Sequence, residues 1–398
     1  MLCGKLVVGQ SGGPTQVINN SLVGVIHAAL ALKDQISGVY GMSRGIAGLL
    51  ENQLYDLARE SGETLRRLRR TPGAALGSVR YKVRPQDYER IIDTLRAHDI
   101  HFFCYIGGND SMDTAHQVHQ AAQEMGYALR VIGVPKTVDN DLAYTDHCPG
   151  YGSAARFVAL AARDTGRDTE SMGPSSPVKI IEIMGRNAGW LTAASALGRQ
   201  NAGDAPHLIY VPERPVQNDR VLDAVARSVA QREHCVIALS EGAVSDTGTN
   251  EVDAFGHKMK GGAAEYLAAL IKERLGLKVR IDKPNYLQRS FSATISDVDA
   301  QEAYLAGQSA VRLAAQGQSN VMVTLERDPG ESYCCHTGAA PLAQVANAEK
   351  CLPDEYINDA GDDITPPFLD YARPLIGEPL LPLGRLSGYL LSTKGPAR

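Results

Sequence analysis

The chain has 398 residues, which is more than one hydrophobic core usually supports, so two domains are expected. Its formal net charge of −5 argues against a general nucleic-acid or anionic-membrane surface, which would need a large basic excess. No apolar run approaches the roughly 20 residues that span a bilayer. The amino terminus enters a strand without a signal-peptide pattern, so a cytoplasmic protein is expected. The seven cysteines lack CxxC or metal-ligand spacing, which predicts reduced, mostly buried thiols.

The first unit, residues 5–33, combines an apolar strand, a glycine turn at Gly12 and Gly13, and a helix rich in alanine, leucine and valine. Backbone amides at the start of such a helix are unpaired donors at the positive end of the helix dipole, so they bind anions. The turn has neither the GxxxxGK[ST] pattern nor a dinucleotide fingerprint. A phosphate-binding turn and a purely structural turn therefore both stay open.

Two later stretches hold several polar side chains directly after short apolar runs: IGGNDSMDTA, residues 106–115, and PKTVDND, residues 135–141. The apolar runs predict buried strands, and open α/β sheets bind ligands beyond the carboxyl ends of their strands. PKTVDND contains one cation, one hydroxyl and two carboxylates within seven residues. This composition favours phosphate and metal chemistry over a merely polar turn.

Helices are predicted over residues 85–98, 111–126 and 297–316, and a strand over residues 321–326. An arginine run after residue 65 is typical of a solvated helix face, although it can also steer a phosphorylated substrate. The tail from Cys351 contains seven prolines, which predicts an extended arm rather than helices. The arginine run after residue 65 consists of Arg66, Arg67, Arg69 and Arg70.

Candidate groups for an anionic sugar follow in the second half of the chain. A strand predicted to begin at residue 178 ends in Met184, Gly185 and Arg186, and two further apolar strands end on Glu213 and Glu241. Such carboxylates can accept sugar hydroxyls or cap the next helix. Residues 280–291 are basic and hydroxyl-bearing without helical periodicity, which suits a phosphate pocket. We expect the cluster there to consist of Arg280, Lys283 and Arg289 around Tyr286.

These motifs occur in the order and approximate spacing of the 6-phosphofructokinases, and the resemblance runs from residue 7 to about residue 315. The order of strands and helices predicts an α/β fold of two Rossmann-like parallel-sheet domains with the active site in the cleft between them. The expected donor domain comprises residues 1–150 plus about 288–338. The expected sugar domain comprises residues 151–287 plus about 339–398, including the carboxy-terminal arm. The motifs that carry the resemblance to the 6-phosphofructokinases are, in chain order, SGGPTQVINN, VYGMSRGIAGLL, LGSVR, IGGNDS, PKTVDND, IMGRNAGW, SEG and YLQR.

The resemblance implies roles for individual residues. In this family the aspartate that matches Asp139 takes the proton from the 1-hydroxyl of the sugar, and Thr137 and Asp141 flank it. The positions that resemble the fructose 6-phosphate pocket are Thr137, Asp139, Met184, Gly185, Arg186, Glu241, Arg280, Tyr286 and Arg289. The positions that resemble the phosphoryl-donor side are Gly12, Gly13, Arg80, Gly108, Asn109, Asp110 and Lys136.

Two positions indicate the donor. ATP-using members typically carry glycine where this chain has Asp110 and Lys136, whereas the pyrophosphate-using branch carries aspartate and lysine. A carboxylate about 4 Å from the α-phosphate of ATP would repel it by roughly 4 kcal/mol at an effective dielectric of about 20. That energy corresponds to discrimination on the order of a thousandfold. The ammonium of Lys136 would neutralise charge on the transferring phosphoryl group.

The resemblance therefore implies a Mg²⁺-using, pyrophosphate-dependent phosphofructokinase of glycolysis and gluconeogenesis. The implied reaction is reversible and gives fructose 1,6-bisphosphate and phosphate. A homodimer or homotetramer is implied as well. The alternatives left open are an ATP-dependent kinase, a broader sugar range that includes sedoheptulose 7-phosphate, and a non-catalytic sugar-phosphate sensor.

Two positions depart from the family pattern. Asn109 stands where many members carry a magnesium-associated aspartate, so the expected metal site consists of Asn109 and Asp110. A family arginine that reaches the sugar phosphate of a neighbouring subunit falls near Pro177. Lys179, two residues on and on the same strand face, is the candidate replacement.

Overall fold

The computed structural model describes residues 2–79, 81–244, 262–330, 332–346 and 348–386. The strands are β1 (Gly4–Gln10), β2 (Ile36–Met42), β3 (Leu54–Asp56), β4 (Ile100–Gly107), β5 (Arg130–Pro135), β6 (Val178–Ile183), β7 (Leu208–Tyr210), β8 (Cys235–Ser240), β9 (Val279–Asp282), β10 (Val321–Arg327) and β11 (Cys335–Pro341). The α-helices are α1 (Ile18–Ala31), α2 (Ala47–Leu50), α3 (Gly62–Leu68), α4 (Asp87–Ala97), α5 (Asn109–Glu124), α6 (Tyr151–Met172), α7 (Trp190–Ala193), α8 (Asn218–Arg232), α9 (Ala263–Leu275), α10 (Asp297–Ala315), α11 (Leu342–Val345) and α12 (Pro366–Ala372).

The strands form two sheets. The larger sheet has seven strands in the order β11-β10-β5-β4-β1-β2-β3, and its five inner strands are parallel. Its edge strands β3 and β11 each pair antiparallel with their neighbour, which was not predicted. The smaller sheet has four parallel strands in the order β7-β8-β6-β9. The two sheets confirm the predicted α/β fold class.

Residues late in the chain return to the larger sheet. Helix α10 packs closely against α1: a Cβ added at Gly24 of α1 would overlap the carbonyl oxygen of Tyr304 of α10, so only glycine allows this approach. Strand β10 then pairs with β5, and β11 follows at the edge. The larger sheet therefore contains β10 and β11 beside the first five strands, while the exact domain boundaries stay a prediction.

The helices predicted over residues 85–98, 111–126 and 297–316 correspond to α4, α5 and α10. The prediction for the tail was wrong over residues 366–372, which form α12. Pro366 is the first residue of this helix, a position where the missing N–H costs nothing. Phe368 and Leu375 are buried in the core under the smaller sheet, so this part of the tail packs against its own chain.

The arginine run is solvated in part: Arg66 and Arg67 pair with Glu63 on the exposed face of α3, whereas Nε of the half-buried Arg69 donates to Oδ1 of Asn20 (2.9 Å). All cysteines are free thiols, as predicted. The expectation that most are buried was wrong, because only Cys104, Cys148 and Cys235 are buried. None of the described helices has both the length and the apolar character that crossing a membrane requires.

Candidate active site

The loop after β1 meets the loop after β5. Gly12 has a φ of +72°, and a Cβ added there would lie 3.2 Å from Nζ of Lys136. The backbone N–H of Lys136 donates to the carbonyl of Gly107 (3.0 Å), and the hydroxyl of Ser78 donates to the carbonyl of Gly12 (2.7 Å). Glycine at position 12 thus provides both the left-handed backbone and the space that the ammonium occupies. We call residues 11–16 the donor loop.

The PKTVDND residues form a loop that is held on both sides, which we call the catalytic loop. The N–H of Asp139 donates to Oγ1 of Thr137 (3.1 Å), and the N–H of Thr137 donates to the carbonyl of Pro149 (3.3 Å). Asn140, at a φ of +57°, accepts from the N–H of Cys148 (2.9 Å) and donates to Oη of Tyr371 (2.8 Å). These bonds fix the backbone that carries Asp139.

The environment of the catalytic loop shifts two pKa values towards neutrality. Burial, together with the negative charges of Asp141 and Glu241, raises the pKa of Asp139 to about 7, against the opposing charges of Lys136 and Arg289. Burial likewise lowers the pKa of Lys136 to about 8, although the charge of Asp139 opposes the shift. Groups with such shifted pKa values are candidates for proton transfer and charge stabilisation.

The sugar-side residues follow the ends of β6 and β8. The hydroxyl of Ser240 donates to the carbonyl of Gly185, which has a φ of +137°. Nε of Arg186 lies 3.7 Å from Oε1 of Glu241. Burial raises the pKa of Glu241, and the charge of Arg186 opposes that shift. We call residues 184–186 the sugar loop. The charge of Glu241, directly after β8 of the smaller sheet, also raises the pKa of Asp139 in the catalytic loop.

A 3₁₀ turn, Asn285–Arg289, lies between the donor loop and the sugar loop. The guanidinium carbon of Arg289 lies 4.5 Å from the ring centroid of Tyr286, within cation–π distance. A Cβ added at Gly13 would overlap Nη1 of Arg289. Arg289 therefore contacts the donor loop, although the resemblance places it in the sugar pocket.

The predicted basic cluster around Tyr286 does not form in full. Lys283 instead pairs with Glu182 (3.0 Å) and Glu265 (2.7 Å), so its inclusion in that cluster was wrong. Arg280 lies exposed on β9, the edge strand of the smaller sheet. Its role in sugar binding stays a prediction. Arg80, predicted on the donor side, lies outside the described residues.

Two other predicted groups have structural partners. Lys179 is buried, and its Nζ lies 2.7 Å from Oδ2 of Asp282, which neutralises the ammonium within the same chain. Oε1 of Glu213 accepts from the N–H groups of Gly189 (2.9 Å) and Leu352 (2.7 Å). Glu213 thus bonds the backbone just before α7 and at residue 352, and it does not cap α8, the next helix, which starts without a side-chain cap bond. Its role in sugar binding stays a prediction.

Position 109 offers an oxygen to a cation. Asn109 is the first residue of α5, directly after Gly108, and its Oδ1 is buried without a hydrogen-bond partner among the described residues. Asp110, the next residue, is exposed. Among the described residues, the one group of three metal-ligating side chains within reach of each other is His147, Glu302 and Cys335, outside these loops. The start of α5 therefore provides two oxygen-bearing side chains.

The sequence analysis did not single out the buried Gln16 and Gln288. They lie within SGGPTQVINN and YLQR, beside residues that it did name, and Nε2 of Gln16 donates to the carbonyl of Gln288 (3.1 Å). The sequence signal that could have identified these two glutamines was their position within the two motifs. Their pairing was not visible because 272 positions separate them.

The family model described as Phosphofructokinase matches residues 5–314. The chain belongs to the phosphofructokinase family. This membership confirms the predicted family, and the residues matched include the donor loop, the catalytic loop, the sugar loop and the 3₁₀ turn.

Similar proteins cover nearly the whole chain. The pyrophosphate–fructose 6-phosphate 1-phosphotransferase of Halomonas elongata is 44% identical over 378 residues, which are 92% of this chain and 90% of that protein. The crystal structure of the pyrophosphate-dependent phosphofructokinase from Marinobacter aquaeolei matches with a TM-score of 0.86 at 42% identity, covering 96% of this chain and 94% of that one. The sulfofructose kinase of Alkalicoccus urumqiensis is 37% identical over 358 residues, 89% of this chain and 92% of that protein.

Proposed function

We propose that this chain transfers a phosphoryl group reversibly from pyrophosphate to the 1-hydroxyl of fructose 6-phosphate, giving fructose 1,6-bisphosphate and phosphate. The observation that carries the proposal is the contact of the Lys136 ammonium with Gly12 of the donor loop. Lys136 lies three residues before Asp139 in the sequence. The ammonium of Lys136 thus lies against the glycine turn, which we take as the anion-binding site, and belongs to the same loop as the candidate base. The names of the relatives from Halomonas elongata and Marinobacter aquaeolei support pyrophosphate as the donor.

In the proposed mechanism Asp139 accepts the proton of the sugar 1-hydroxyl as the oxygen attacks the phosphoryl group. A pKa of about 7 allows this carboxylate to be ionised at neutral pH and still hold the proton afterwards. Lys136 stabilises the charge on the transferring phosphoryl group and on the departing phosphate. Arg186 and Glu241 bind the sugar phosphate and its hydroxyls, and Thr137 holds the N–H of Asp139.

The side chains at the start of α5 fit Mg²⁺. Proteins hold this ion through one or two oxygen ligands while substrate phosphates and water complete the octahedron. We assign Asn109, through its unpartnered Oδ1, and Asp110 to this role. Mg²⁺ held there would neutralise charge on the phosphate oxygens. A homodimer or homotetramer and a cytoplasmic location stay predictions.

A matrix of donors and sugars tests the proposal. Wild-type protein is assayed with pyrophosphate or ATP beside Asp110→Gly and Lys136→Gly. The control Asp113→Gly makes the same change at an exposed aspartate of the same helix. We expect turnover with pyrophosphate and a preference over ATP on the order of a thousandfold, which Asp110→Gly reduces and Asp113→Gly keeps. Wild-type turnover with ATP but not pyrophosphate would contradict the donor, and sugar-phosphate binding without turnover would favour the sensor.

The matrix also includes a sugar sulfonate, because the relative from Alkalicoccus urumqiensis is named a sulfofructose kinase. A sulfonate carries one negative charge, whereas a phosphate monoester carries about 1.5 to 2 at pH 7. We therefore include 6-deoxy-6-sulfofructose and sedoheptulose 7-phosphate beside fructose 6-phosphate. A higher kcat/KM for the sulfonate would replace the proposed sugar but leave the phosphoryl-transfer chemistry unchanged.

A further inference from the structure

Gln288 bonds to the loops of both substrates. Its side-chain Oε1 accepts from the N–H of Met184 (3.2 Å), the first residue of the sugar loop. Its backbone carbonyl accepts from Nε2 of Gln16 (3.1 Å), the last residue of the donor loop. Its Nε2 donates to the carbonyl of Asn285 (3.2 Å), within its own 3₁₀ turn. One residue thus joins the donor loop, the sugar loop and the turn that contains Arg289.

The bond between Gln16 and Gln288 is buried, and the bonds from Gln288 to Met184 and Asn285 are partly buried. Gln16 is 0% exposed and Gln288 is 1% exposed, so water is not at hand to replace a bond that breaks. A buried polar group that loses its partner pays its full desolvation cost, which keeps the three segments in one arrangement. Movement of one loop must therefore move the 3₁₀ turn as well.

The residues joined in this way belong to both candidate binding sites. Three residues before Gln16, Gly13 lies against the guanidinium of Arg289. Two residues after Met184, Arg186 pairs with Glu241, whose charge acts on Asp139. The connection therefore links two sites whose loops follow strands of different sheets.

We propose that Gln288 is a positioning residue that couples the two sites, so that binding of either substrate orders the loop that receives the other. The inference rests on the proposed function, since it takes the donor loop as the pyrophosphate site and the sugar loop as the fructose 6-phosphate site. Such coupling is reciprocal by thermodynamic necessity: each ligand tightens the binding of the other by the same factor.

The experiment measures that factor by calorimetry. The Kd of fructose 6-phosphate is determined with and without methylenediphosphonate, a pyrophosphate analogue that is not hydrolysed, in the presence of Mg²⁺. For wild-type protein we expect the analogue to lower the Kd by about fivefold or more. Gln288→Met removes the bond to the sugar loop, and Gln16→Met removes the bond to the donor loop, each with little change in volume. In both variants we expect the ratio of the two Kd values to fall below about twofold.

Gln200→Met is the matched control. Gln200 also joins two segments, through the carbonyl of Leu381 (3.4 Å) and the N–H of Leu383 (3.0 Å), but it lies outside both loops. We expect this variant to keep the wild-type ratio, and thermal unfolding shows which variants are folded. Since the two test variants break different bonds, either one that folds is sufficient.

The outcomes separate the inference from the function on which it rests. An unchanged ratio in folded Gln288→Met or Gln16→Met, or a wild-type ratio near 1, overturns the coupling role. If wild-type protein also turns over pyrophosphate and fructose 6-phosphate, the proposed function stands without that role. Wild-type protein that does not use pyrophosphate overturns the proposed function and the inference together.

Discussion

The ammonium of Lys136 and the carboxylate of Asp139 act on each other's protonation within one buried loop. Burial raises the pKa of Asp139 and lowers the pKa of Lys136, and the opposite charge of each residue resists the shift in the other. Their pKa values of about 7 and about 8 therefore fall close together. Near neutral pH the pair can hold an ionised base and a charged lysine at once.

This relationship predicts a narrow bell-shaped pH profile of kcat/KM. Activity should rise as Asp139 loses its proton near pH 7 and fall as Lys136 loses its proton near pH 8. The measured limbs belong to the coupled pair rather than to either residue alone. Steady-state assays with pyrophosphate between pH 5.5 and 9.5, in overlapping buffers, provide the test. A flat profile across this range would contradict the assignment of both groups.

Asp139→Asn separates catalysis from folding. Removing the base should lower kcat by about 10² to 10⁴, the usual contribution of general-base catalysis. The raised pKa means that ionised Asp139 destabilises the folded state at pH 8, so a neutral amide should leave the melting temperature unchanged or raise it. Turnover and thermal unfolding at pH 8 check both statements. Asp113→Asn, at an exposed aspartate, is the control and should change neither quantity; near-normal turnover of Asp139→Asn would remove the residue from its role.

Asn109→Asp tests the magnesium assignment. The variant places a second carboxylate beside Asp110, where Oδ1 of Asn109 is buried without a partner among the described residues. We expect the Mg²⁺ concentration for half-maximal activity to fall several-fold, because added ligand charge strengthens binding of a hard cation. Without Mg²⁺ the buried charge should lower the melting temperature, and added Mg²⁺ should restore it.

Asn218→Asp provides the control for that experiment, since Asn218 is exposed and is also the first residue of a helix, α8. This variant should show neither the Mg²⁺-dependent melting temperature nor the altered Mg²⁺ requirement. Equal behaviour of the two variants would remove Asn109 from the metal site.

The sequence predicted best those parts of the site that depend on local order along the chain. Apolar runs followed by glycine or polar residues correctly located the ends of β1, β4 and β5, since parallel strands keep ligand-binding groups at their carboxyl ends. Strand β6 ends at Ile183, before the three residues that were predicted to close it. Partners from distant segments were not predictable in this way. Lys283 pairs with Glu182 of β6 and Glu265 of α9, which no spacing within residues 280–291 could indicate.

Proline content was misleading in the tail because its effect depends on position. Pro366 and Pro367 start α12, where the first N–H groups of a helix have no intrahelical partner, so the loss of a donor costs little. The apolar Phe368 behind them is buried and packs the helix against Trp190. Burial of that side chain, rather than local propensity, determines the conformation there.

His147 forms a buried junction next to the catalytic loop. Its Nδ1 lies 2.8 Å from Oδ1 of Asp146, and its Nε2 lies 2.7 Å from Oε2 of Glu302 on α10. Burial alone would lower the pKa of His147, but the hydrogen bonds to both carboxylates outweigh it and raise the pKa above the usual 6.5. The hydrogen bond between His147 and Asp146 also helps to lower the pKa of Asp146, against the effect of burial.

This junction predicts that stability falls at alkaline pH. The raised pKa of His147 means that its contribution is fully present below pH 6.5 and is lost as the pH rises through the folded-state value. Asp146, whose pKa is lowered, stays ionised throughout the range from pH 5.5 to 9. His147→Gln should cost about 3–5 kcal/mol near pH 6, because it leaves the buried carboxylate of Glu302 without its cation while Asp146 keeps Arg327, and the difference should shrink by pH 9. Urea unfolding across this range gives the measurement, with His98→Gln as the control because His98 bonds the neutral amide of Asn52. A difference that does not change with pH would show that His147 contributes packing rather than charge.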